Sequence, residues 1–321
     1  MNLRASRLLT GISLAFAALV TCGAADPAPA STGPNLRFQA RPDGSFVFNT
    51  GTLRGVVRTQ GKSVGLQEVY YLPTKQRLDR SMGLLGHYRV FSQGKRYGTG
   101  AWDWPSTAQI LDDGTLITQW AAGDDRPFEL RAAYRWRNPS TLDVETMVRA
   151  QADLPAFECF LASYFAPHFS QASIAVGSAP GTEGVPQWLR ADRAAGDWQI
   201  FPRDSDVLRL IQDGRWKLEP NPVAWVVRPS FDVPMARRRS PNTGLSAILM
   251  APAAECFALS TPHETEEHNS TYLSLFGINL KPGVSARARV RLVIAVAKSD
   301  PAVRADYDKA NADWAKDFQL P

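Results

Sequence analysis

Turn-forming strings recur along the whole chain: Pro42-Asp43-Gly44, Asp112-Asp113-Gly114, Gln212-Asp213-Gly214, Asn242-Thr243-Gly244 and Lys281-Pro282-Gly283. Between them, apolar side chains alternate with polar ones at a period of two rather than the three-to-four spacing of a helix. In an extended chain successive side chains point to opposite faces, so this alternation buries one face of each segment and turns the other outward. The chain is therefore expected to be mostly β. Its clearest strand runs from 286 to 294, with Ala286, Ala288, Val290, Leu292 and Ile294 on one face and Arg287, Arg289 and Arg291 on the other. The arginine face is expected to meet water. Residues 128–134 and 141–148 alternate in the same way around Arg137-Asn138-Pro139-Ser140, which predicts an antiparallel pair.

The C-terminus differs. Asp300 suits a cap and Pro301 a first helical position, and Val303, Tyr307, Ala310, Trp314 and Phe318 recur at steps of three and four. One amphipathic helix is expected over 299–321. The N-terminus differs too, because Arg4 and Arg7 precede an apolar run from Leu8 to Val20 and the small-residue zone Thr21-Cys22-Gly23-Ala24-Ala25. That order describes an export signal over residues 1–25. Two processing routes stay open: cleavage after Ala25, or lipidation of Cys22 in a lipobox-like Leu19-Val20-Thr21-Cys22. Residues 26–34, rich in Pro, Ala and Ser, read as a tether, and 35–298 as a single β domain. The expected location is the periplasm, the outer membrane as a lipoprotein, or the medium, with contact to a membrane only through that N-terminal anchor.

Charge narrows the partners. The whole chain has a formal charge of +5, and without Arg4 and Arg7 it has 34 basic against 31 acidic side chains. So small an excess does not indicate nucleic acid, and Arg237-Arg238-Arg239 is read, like the 287/289/291 set, as a solvated face. Cys159 and Cys256, each within Glu-Cys-Phe, are either a cross-sheet disulfide or two buried thiols.

Three stretches carry candidate chemistry. The first is Thr261-Pro262-His263-Glu264-Thr265-Glu266-Glu267-His268. Its histidines are five apart, whereas a zinc-protease helix needs them at i and i+4, and the segment runs into an apparent strand from Ser270. No metal and no cofactor is assigned. A glutamate beside a histidine at a strand end is suited to acid–base work, and equally to a solvated loop. The second stretch contains His87, Arg89, Trp102 and Trp104, with Tyr88 and Arg96 close by. Aromatic faces and an arginine suit a pyranose ring and its substituents, while the bland reading places the tryptophans on one side of a strand, in the core. The third holds Glu158, an acid in an apolar strand, where an arginine partner or edge exposure is expected before any catalytic role.

The order Tyr134-Arg135-Trp136, Leu142-Asp143-Val144-Glu145, Leu154-Pro155-Ala156-Phe157 and Tyr164-Phe165, followed by Glu264-Thr265 and Leu280-Lys281-Pro282-Gly283, resembles galactose mutarotase-like proteins over roughly residues 80–295. The resemblance implies an all-β antiparallel supersandwich, here with a short C-terminal helix, that binds sugar on a concave sheet. It implies Glu264 as general base, with Glu266 or Glu267 as rivals, and places His87 near a histidine-bearing loop. It also implies a histidine two residues before Tyr164, where this chain has Ala162. The expected site therefore joins His87, Glu264, Glu267 and His268 as acid–base groups with Arg89, Trp102, Trp104, Tyr164 and Tyr272 as sugar contacts. The expected function is that of an exported carbohydrate-active protein of epimerase, lyase or hydrolase type. The alternative is a non-catalytic surface glycan binder or structural lipoprotein.

Overall fold

Strand pairing follows the turns. In a computed structural model describing residues 35–316 except 60–62, 81 and 178–184, the strands Phe128–Asn138 and Thr141–Ala150 pair antiparallel from Phe128↔Ala150 to Asn138↔Thr141. The strand Ser285–Val296 then lies along the second of these, with Val144 opposite Val290. Among the described residues the strands form three sheets of five, nine and seven. Every named pairing is antiparallel except a short parallel contact between Trp198–Pro202 and Val226–Val227. The expected export signal, lipidation site and tether lie outside the described residues.

The nine- and seven-stranded sheets stack on a common apolar layer. Alternation builds it: Val144, Val290 and Leu292 come from the larger sheet, and Cys159, Leu161 and Leu273 from the smaller. Polar ties cross the same gap, since Tyr134 donates from its hydroxyl to the Leu85 carbonyl at 3.0 Å and His87 Nε2 meets Thr146 Oγ1 at 2.8 Å. The five-stranded sheet joins through rings, with Phe48 and Trp136 centroids 4.9 Å apart. The result is an all-β antiparallel supersandwich.

Two expectations change, and one pair of alternatives is decided. The helix Asp300–Lys316 forms and buries Val303, Tyr307, Ala310 and Trp314 against Val293, Ile248 and Met250. Those partners lie on the outer face of the larger sheet, so of the three arginines on that face only Arg287 is exposed to water. Arg291 is 5% exposed and bonds Asp143 and Asp313, and Arg289 pairs with Glu255. Arg238 is also buried, donating to Thr261 Oγ1 at 2.8 Å, Thr271 Oγ1 at 3.2 Å and the Ser270 carbonyl at 2.6 Å. A charge run that looks solvated in sequence can thus be buried where hydroxyls, carbonyls and carboxylates meet each guanidinium. Finally, Cys159 and Cys256 are buried free thiols. Both lie opposite Leu275, on strands either side of it, so two strand spacings of roughly 4.8 Å each separate them and preclude a disulfide.

Candidate active site

The other face of the seven-stranded sheet is aromatic. Along Leu154–Tyr164, Cys159 and Leu161 enter the core, and Phe160, Ala162 and Tyr164 point the opposite way. The neighbouring strand Ser270–Leu280 adds Tyr272 directly opposite Ala162. Phe160 and Tyr272 stack with centroids 4.6 Å apart. Phe160, Tyr164 and Tyr272 floor a cavity of about 330 Å³.

A β-bulge supplies the next wall. In the strand Gly86–Ser92, His87 pairs with Leu161 and Val90 with Cys159, so Tyr88 and Arg89 together oppose the single residue Phe160. One extra residue breaks the alternation and lets two consecutive side chains line the same cavity. The same irregularity leaves His87 on the core side. It is fully buried, its ring centroid lies 5.2 Å from that of Trp120, and burial pushes its pKa down to about 3. His87 is therefore a neutral core histidine, sealed from the cavity floor by the sheet itself. The shared acid–base site expected for it does not form.

The outer wall comes from the start of a peripheral strand and from irregular segments beyond it. Trp198 opens the strand Trp198–Pro202, Trp216 sits in the turn Arg215–Lys217, and Trp225 precedes Val226–Val227. Trp216 and Trp225 meet edge to face at 5.1 Å, and Trp216 meets Phe160 at 4.7 Å. Arg215 fixes this wall: wholly buried, it bonds Glu158 at 2.9 Å and Asp213 at 2.8 Å. Glu158 thus has the arginine partner expected of it. Asn221, at a φ of 60°, turns its carbonyl to Arg89 Nη2 at 2.8 Å, a left-handed conformation that asparagine tolerates better than most residues.

Protons are held in two places. The hydroxyls of Tyr164 and Tyr272 lie 3.4 Å apart, and burial pushes the Tyr272 phenol up to about 12 and Tyr164 higher still. Both are protonated donors near neutral pH. At the rim, His268 Nδ1 meets Glu266 Oε1 at 2.5 Å, and its ring lies 5.6 Å from Trp198 and 6.4 Å from Tyr164. Glu266 fixes the ring orientation and leaves Nε2 for other partners. His268 and Tyr164 also line an adjoining cavity of about 270 Å³ that includes Arg80 and Glu267.

Of the residues expected at the site, Arg89, Tyr164, Tyr272 and His268 meet in one cavity. The hairpin loop 263–269 takes Glu264 elsewhere, where it pairs with Arg190 at 2.5 Å. Glu267 accepts from Arg80 through its backbone carbonyl and lines two neighbouring cavities instead of this one. His263 lies apart, bonded to Thr265 Oγ1 at 3.0 Å. Trp102 and Trp104 are not on a strand: a 3-10 turn, Ala101–Asp103, carries the first and ends at the second. Trp102 stacks behind Tyr88 at 4.0 Å, and Trp104 packs in the core 5.9 Å from Phe128, so neither lines the cavity. Sequence reasoning passed over Phe160 and the three outer tryptophans. For Trp216 and Trp225 the available signal was a large apolar side chain in a turn-rich stretch with no alternating face to fill.

No protein-family model matches the chain, and no curated protein matches it. Solved structures similar to it include a putative aldose 1-epimerase from Escherichia coli K12, at 13% identity over 82% of this chain and 100% of that one, with a TM-score of 0.45. A galactose 1-epimerase from Lactobacillus acidophilus NCFM matches at 13% identity over 82% and 99%, with a TM-score of 0.45. A heparan sulfate lyase mutant from Pedobacter heparinus matches at 7% identity over 83% of this chain and 37% of that one, with a TM-score of 0.47. In fold, the chain is similar to galactose mutarotase-like proteins.

Proposed function

We propose that this is an exported carbohydrate-active enzyme that moves a proton on or off a sugar held in the aromatic cavity. The observation that carries the reading is the convergence of the Tyr164–Tyr272 hydroxyl pair and the Glu266-oriented His268 on a cavity that five further aromatic rings line, those of Tyr88, Phe160, Trp198, Trp216 and Trp225. Aromatic faces take the C–H faces of a pyranose, and a tyrosine donor with a histidine acceptor provides the two proton-transfer partners that acid–base catalysis uses. None of the residues lining the cavity is Asp or Glu. Epimerase- or lyase-type chemistry therefore fits this site better than hydrolysis by a carboxylate pair, which needs two such groups flanking the bond. Export, with lipidation at Cys22 or cleavage after Ala25, belongs to the same proposal, and the mass of the mature N-terminus tests it.

The direct test is product analysis after incubation with an oligosaccharide panel, using wild type, Tyr272→Phe and His268→Gln. A sugar turned over by wild type is expected to react about 10²- to 10⁴-fold more slowly with either variant, while binding changes little. Turnover unchanged in both variants would remove these groups from the chemistry. A second reading, a glycan-binding protein without catalysis, is favoured by Ala162, which lies buried on the same strand face as Phe160 and Tyr164 where the resemblance implies a histidine. Binding without turnover of any sugar would establish it.

A further inference from the structure

We propose that the sugar taken by the aromatic cavity carries an anionic group, a carboxylate or a sulfate, that pairs with Arg89. This rests on the carbohydrate reading above and narrows it to acidic saccharides. Arg89 is 5% exposed and lines the cavity. It donates from Nη2 to the Asn221 carbonyl, but its Nε and Nη1 have no hydrogen-bond partner among the described residues. Those two nitrogens carry three N–H bonds. The faces of Tyr88 and Trp216, 5.1 and 5.3 Å from its Cζ, give part of the compensation a buried cation needs but accept none of those protons in line.

The contrast with four other arginines makes these two nitrogens informative. Arg215 has Glu158 and Asp213, Arg291 has Asp143 and Asp313, and Arg238 has two threonine hydroxyls and two carbonyls. Arg96, the cation beside Arg89, directs its guanidinium at the carbonyls of Gly98, Thr99, Leu218 and Pro220. Among the described residues, Arg89 alone of these five reaches the cavity, and no ion pair is formed by it. An uncompensated buried charge is costly, and the cavity wall offers no carboxylate to offset it. The ligand brings the counter-charge.

The experiment is calorimetric titration with three probes of equal length: an oligouronate, its carboxyl-reduced neutral counterpart, and a sulfated neutral oligosaccharide. Wild type is expected to bind one anionic probe roughly 10- to 100-fold more tightly than the neutral one, and the two anionic arms distinguish carboxylate from sulfate. Arg89→Gln is expected to erase that preference, and Arg89→Lys to keep part of it. If wild type binds the neutral probe as tightly as both anionic ones, or if folded Arg89→Gln keeps the full preference, the inference fails and the carbohydrate site stands. If no probe and no other sugar binds, the carbohydrate reading fails as well. Should Arg89→Gln not fold, the wild-type comparison decides alone.

Discussion

At the scale of single residues, burial sets the protonation of two groups in opposite senses. Glu145 lies 3% exposed, its carboxyl oxygens lack partners among the described residues, and burial pushes its pKa up to about 7 despite Arg287 and Arg289 nearby. Between its ordinary value of 4.5 and 7 the folded chain holds a proton here that the unfolded chain has lost, so stability falls as pH rises through that window. Glu145→Gln is expected to match wild type near pH 4 and to exceed it by about 3 kcal/mol at pH 8, in urea unfolding at both pH values. An equal difference at the two pH values would show that this carboxylate is solvated. His87 acts the other way. Its pKa is lowered from 6.5 to about 3, so its contribution is present above 6.5 and is lost as pH falls toward 3. Neither residue is legible as such in the sequence, because a pKa depends on what closes over the group.

At the scale of elements, the cavity depends on two irregularities. The bulge at Tyr88–Arg89 brings two consecutive side chains to one face, and the Glu158–Arg215–Asp213 cluster anchors the turn that carries Trp216. Arg215→Met leaves Glu158 buried and unpaired, which is expected to cost about 3–5 kcal/mol and to loosen the tryptophan wall. Chemical unfolding measures the first effect, and reduced sugar affinity in the folded fraction the second. Unchanged stability would mean that Glu158 takes up a proton at little cost. The strand that supplies Glu158 shows how far pattern reading reaches. Alternation in Phe157–Tyr164 tells that a strand is present, and an acid among apolar neighbours tells that it needs a partner. Arg215 lies 57 positions away, and only the packing of the turn onto the sheet selects it.

At the scale of the whole molecule, the helix Asp300–Lys316 covers an outer sheet face that includes Ile248, Met250 and Val293. Trp314→Ala is expected to destabilise the chain by about 3–5 kcal/mol, and a lowered urea midpoint with unaltered cooperativity is the check. The strand periodicity, the hairpin over 128–150, the final strand and this helix were all legible in the sequence, because each follows from local turn chemistry and from which side chains share a face. Arg89, Tyr164, Tyr272 and His268 were legible as residue types suited to sugar. Their convergence was not, nor was the dispersal of His87, Glu264 and Trp104. By itself the sequence determined a mostly β chain with a closing helix, since periods of two and of three to four are properties of the chain's own geometry. Tertiary structure alone decided the site: a strand face is fixed as core or cavity only when sheets stack, and one extra residue in a bulge is enough to put Arg89 on the cavity wall while His87 stays in the core.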